Sequence, residues 1–151
     1  MKPRNFYLSL LLFAFDRPAF AQDSPLPRST SVTVRGVKVE LKNCQKASTK
    51  SITCHFTITN LQADRQLVLQ GNSHSHFVDS SGMEIEATQA QLGSRSSHQP
   101  RTEVVTDVPV RASMDFGVGD PKATSLAKLS IGLWADDDFR VEFRKVPLEG
   151  N

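Results

Sequence analysis

The feature that most constrains this chain is a strict two-residue alternation of apolar and polar side chains. Ile52, Cys54, Phe56 and Ile58 alternate with Thr53, His55, Thr57 and Thr59. Successive side chains of an extended strand point to opposite faces, so this run puts its apolar groups on one side and its polar groups on the other. The threonines suit the solvent face of a half-buried strand, and Asn60 ends it. The pattern recurs in Val32 and Val34, then in Val37, Val39 and Leu41, with Gly36 at the change of phase, where a bulge or kink is expected. Leu67 and Leu69 mark a short strand. Phe77 with Val78 and Met83 to Ile85 flank Asp79-Ser80-Ser81-Gly82, a hairpin signal.

Further along, residues 93–100 read as a polar loop. Residues 102–105 and 108–110 read as short strands divided near Asp107, with Pro109 pointing to an edge or crossover position. Ala112, Met114, Phe116 and Val118 alternate again, as do Ala127, Leu129, Ile131 and Leu133, and finally Phe139, Val141 and Phe143. Residues 125–133 admit an amphipathic helix, but their alternation favours a strand. The chain is therefore expected to be all-β, an antiparallel immunoglobulin-like β-sandwich of about seven to nine strands, with a closed barrel as the alternative.

The N-terminus follows another rule. Lys2 and Arg4 precede the ten-residue apolar run of residues 6–15, Pro18 breaks any helix, and Ala19-Phe20-Ala21 supplies a small-x-small pattern. Such a run is too short to span a bilayer and fits a signal peptide, with cleavage expected after Ala21. Residues 22–30 then form a Pro-rich linker, and residues 31–149 the β-sandwich domain. The expected compartment is secreted or periplasmic. Export also changes the charge argument. The 151-residue chain carries 18 basic and 16 acidic residues, a net charge of +2, but residues 1–21 hold three of the basic groups and one of the acids. The remainder is balanced, so bulk charge does not point to a nucleic-acid partner. No later run approaches the ~20 apolar residues of a membrane span.

Cys44 and Cys54 are the only cysteines. In an oxidising compartment an even count favours a disulfide, which across so short a loop contributes roughly 2.5–3 kcal/mol in the chain-entropy model. Their spacing is wrong for a C-x-x-C redox or zinc pair.

Three stretches carry a resemblance: residues 54–60 (CHFTITN), the hairpin at 78–82 (VDSSG) and the ending at 139–148 (FRVEFRKVPL). With them the chain resembles a loose group of bacterial secreted immunoglobulin-like proteins, similar in architecture to small secreted antigens of mycobacteria. The resemblance implies a sandwich fold and an envelope location. It brings no catalytic residues.

The site candidates are few. His74 and His76 share a strand face and could meet one metal ion, with His55 or His98 as further ligands if the fold brings them close. Asp136, Asp137 and Asp138 could offer oxygens to calcium together with Asp79 or Asp107, or form a solvated turn. Trp134 beside them is either a cap on the sandwich end or an exposed anchor. Lys42, Lys46 and Lys50 make a basic spot around the disulfide loop. Met83 and Met114 are expected to fill the core rather than bind copper. No catalytic motif, phosphate loop or dinucleotide fingerprint occurs, and no cofactor is implied. The expected function is a non-enzymatic binding or accessory module for an unknown protein or other envelope component. Recognition would run through the Lys46 loop and the 134–138 turn. The second reading is a periplasmic metal or small-ligand carrier.

Overall fold

The computed structural model describes residues 30–150. The expected signal peptide and all but the last residue of the expected linker lie outside this range. Among the described residues every regular element is a strand. β1 (Ser31–Val34) and β2 (Val37–Ser48) form a hairpin whose turn is Arg35-Gly36, both at positive φ (51° and 72°). Gly36 is thus half of a two-residue turn whose backbone matches the twist of the strands it joins, not a bulge. β3 (Ser51–Asn60) follows as the partner of β2, and its burial alternates without a break as the residue pattern requires.

The chain continues through β4 (Arg65–Gln70), β5 (His76–Asp79), β6 (Glu84–Leu92), β7 (Arg95–Ser97) and β8 (Arg101–Val104). It ends with β9 (Pro109–Gly117), β10 (Ser125–Ala135) and β11 (Asp137–Glu149). Hydrogen bonding runs β2, β3, β9, β6, β5, β10, β11, and β11 returns to β2 through a short parallel contact that sets Leu148 opposite Cys44. The sheet closes as a seven-strand barrel. The all-β expectation holds, and closure follows the barrel alternative more closely than two separate sheets. The count rises to 11 because β1, β4, β7 and β8 add short strands outside the ring.

Several boundaries move for local physical reasons. The two stretches read at 108–110 and 112–118 merge into one strand, β9, without Val108 and Val118 at their outer ends, and it lies between β3 and β6; Pro109 is its first residue, a position where the missing N–H does least harm. The polar stretch 93–100 contains β7, which folds back on β6. In β10 the alternation slips, so that Leu126 is buried and Ala127 exposed. The slip lies where the pairing of β10 with β5 shifts between Leu126 and Lys128, and Lys145 on the facing strand takes a positive φ of 51°. Paired irregularities of this kind keep both strands in register while returning Leu129 and Phe143 to the interior.

The barrel is filled by one apolar cluster from all its strands. Phe77 and Phe116 meet edge to face, with ring centroids 5.2 Å apart. Met114 is fully enclosed, but Met83, expected in the core, is 49% exposed in the turn before β6. Cys44 and Cys54 stand directly opposite one another on β2 and β3 and form the expected disulfide, fully buried within that cluster. Among the described residues no helix is long and apolar enough to cross a membrane.

Candidate functional site

The strands deliver their connections to two ends. One end gathers the Arg35-Gly36 turn, the loop after β3, the loop between β8 and β9, and the Asp136 turn between β10 and β11. Asn60 holds it together. Its side chain is 1% exposed, donates to the carbonyls of Gln62 (2.9 Å) and Ala63 (3.0 Å), and accepts from Arg65 Nε at 3.0 Å. Arg65 then donates to the Arg35 carbonyl at 2.8 Å and lies 3.7 Å from the Asp136 carboxylate. One buried amide and one guanidinium therefore link three of the four connections.

The β8–β9 loop joins the fourth side. The backbone N–H of Asp107 donates to the Asn60 carbonyl at 2.7 Å, and the Thr106 hydroxyl donates to the Gln62 carbonyl at 2.6 Å. The Thr106 backbone N–H donates to Asp64 at 2.8 Å, and this bond, with a second from the Thr106 hydroxyl, holds the Asp64 carboxyl below its ordinary range. Among the described residues, three of the four non-glycine positions at positive φ lie here: Arg35, Asp107 and Asp136. Such conformations persist only where the surroundings enforce them, so these loops are held in shape.

On this frame stand Leu61, Val105 and Val108, 46%, 47% and 50% exposed. They sit on two loops that are hydrogen-bonded to each other.

The sequence candidates divide between the ends. Trp134 and the three aspartates lie at this one. Trp134 is half-buried on the outer side of the sheet, with the Arg101 guanidinium 5.8 Å from its ring centroid, so it is neither a cap over the interior nor a fully exposed anchor. The aspartates do not converge. Asp137 meets Arg35 at 3.1 Å, Asp136 faces Arg65, and Asp138 accepts from Gln70 Nε2 at 2.9 Å. Lys46 is at the other end, where its ammonium donates to the Pro121 carbonyl at 2.9 Å. It is separated from the 134–138 turn by most of the length of β2, roughly 25–30 Å at the rise of a strand. Lys46 and Trp134 cannot form one contact patch.

Asp79 is at the Lys46 end too. It is 2% exposed and accepts from the backbone N–H groups of Ser81, Met83 and Asp120 and from the Ser81 hydroxyl. Burial alone would raise its pKa, but these bonds together outweigh it and hold the carboxyl below its ordinary value.

The histidines stay apart. His74 lies in the segment between β4 and β5, its Nδ1 3.0 Å from Asn72 Oδ1. His76 points to Glu84, with Nε2 3.8 Å from the carboxylate. Between them Ser75 is buried, donating to the Gln70 carbonyl and accepting from the Gly132 N–H, which folds this segment over β10. The approach requires Gly132, since a Cβ there would come within 2.8 Å of the His74 carbonyl. Among the described residues no group of three His, Cys, Asp or Glu is placed to hold a metal ion. Ser130 stands opposite both His76 and Glu142, but its hydroxyl is fully enclosed and no substrate carbonyl can reach it.

Sequence reasoning missed Leu61, Val105 and Val108. Val105 and Val108 carry the pattern of strand residues, and Leu61 carries no signal beyond its place after Asn60. No protein-family model and no curated protein matches the chain, so the site rests on its geometry.

Proposed function

We propose that this protein is an exported, non-enzymatic binding module of immunoglobulin-like type, which recognises a protein component of the envelope through the Asn60 end of the barrel. The carrying observation is the exposed trio of Leu61, Val105 and Val108 on two interlocked loops. Isolated exposed apolar residues are ordinary, but three on a pre-shaped loop end make a small docking surface with little ordering cost on binding. Arg35, Asp137 and Asp64 provide a polar rim of both signs.

Two observations support the rest of the reading. The ring divides into β2-β3-β9-β6 and β5-β10-β11, which is the strand order of a constant-type immunoglobulin domain once β4 and β5 are counted as one interrupted strand and β7 and β8 as insertions. The buried disulfide fits an oxidising compartment.

The test is capture of partners from envelope extract by the purified protein, with chemical cross-linking, beside the double variant Leu61→Asp, Val108→Asp. A reproducible partner lost in the variant, with the melting temperature unchanged, supports the reading. A partner retained by the variant contradicts it.

A further inference from the structure

The outer face of β2, β3, β9 and β6 is polar. In one row Asn43, His55, Ser113 and Gln91 stand opposite one another on four successive strands. Neighbours in such a row lie about 5 Å apart at Cβ. Arg111 is two residues from Ser113, on the same face of β9 and opposite Thr57. The ground between them is a depression of about 200 Å³ lined by His55, Gln91, Gly93, Arg111, Ala112 and Ser113.

The carboxylates around it are engaged. Glu40 pairs with Lys38 and Lys42, Asp115 accepts from the Thr53 hydroxyl, and Glu149 accepts from Asn43. Among the described residues no hydrogen bond or ion pair reaches the Arg111 guanidinium or the His55 ring. One Gln91 amide hydrogen goes to the Gly93 carbonyl at 3.1 Å, and the other is free to point outward.

We infer that this depression binds a small oxyanion, the phosphate or carboxylate group of a polar solute. The planar guanidinium of Arg111 offers paired N–H donors that match such a group. Ser113, Gln91 and His55 ring it with further hydrogen-bonding groups. The volume equals that of several water molecules at about 30 Å³ each, enough for the anionic group and a small substituent. The site lies on the side of the barrel, apart from the Asn60 end, and does not depend on the docking role proposed there.

Backbone amide NMR of the purified protein tests it, with inorganic phosphate and acetate as separate probes and chloride at matched ionic strength as the control. The expected result is saturable shifts confined to residues 55, 91–93 and 111–113 with at least one probe, and the stronger probe tells which anionic group is preferred. Arg111→Met, at an exposed position, should weaken that binding roughly tenfold or more, and His55→Gln should weaken it less. Shifts that never saturate, that scatter over all basic residues, or that survive Arg111→Met at unchanged affinity would overturn the inference.

Discussion

The two ends of the barrel are fastened by different chemistry. At one, the neutral amide of Asn60 ties carbonyls and an arginine together, and the loops it shapes leave Leu61, Val105 and Val108 in solvent. At the other, the buried carboxylate of Asp79 gathers the turn before β6 and the loop after β9, and Met83 is the large apolar side chain left exposed. An amide satisfies donors and acceptors at once and stays neutral. A carboxylate only accepts, and it can be switched off by a proton. Similar fastening therefore gives one end whose hub is indifferent to pH and one whose hub is not.

Breaking the charged hub should have the largest effect. Asp79→Ala is expected to cost about 4 kcal/mol, because several backbone donors lose a charged acceptor. Urea denaturation at neutral pH measures it. The same residue sets a pH dependence. Its folded pKa is lowered from 3.8, so the unfolded chain binds the proton more readily and stability rises with pH. The contribution is complete above the ordinary value of 3.8 and fades as pH falls through the lower folded value. Asp79→Ala should flatten this acid limb. Asp64, at the other end, has the same sign but is exposed and screened.

Reducing the disulfide comes next, at about 2.5–3 kcal/mol. The oxidised protein should show no reactive thiols on titration under denaturing conditions. Asn60→Ala is expected to cost about 2 kcal/mol with the acid limb unchanged. A slope altered as much as in Asp79→Ala would erase the contrast between the ends. The smallest effect should come from Arg101→Ala, which removes the cation from the face of Trp134 for about 0.5–1 kcal/mol. Trp134 is the only tryptophan, so its fluorescence reads that change directly.

The difference between the ends also shows where sequence reading reached its limit. Ile52, Cys54, Phe56 and Ile58 announced β3 because a strand paired on both sides, one face to the interior, buries alternate residues without interruption. β6 was legible only at its start: between Ala87 and Gln91 its residues are Ala, Thr and Gln, a register shift between Ala87 and Gln89 breaks the period, and the buried Leu92 stands alone at its end. A register shift hides Leu126 in the same way, and Met83 lies in the turn although its residue pattern runs on into the strand beside it. The disulfide was readable because its partners are close in sequence. The candidate site was not. Joining residues 60–65 to 105–108, and separating Lys46 from Trp134, depends on strand order that no local pattern encodes.

The most direct measurement sets the two ends against each other in one capture experiment. The paired variants are Leu61→Asp with Val108→Asp at the Asn60 end, and Met83→Asp with Lys46→Glu at the Asp79 end. Envelope partner capture is expected to be lost in the first pair and kept in the second, with both folded. Capture kept in the first pair and lost in the second would place recognition at the wrong end and contradict the proposal.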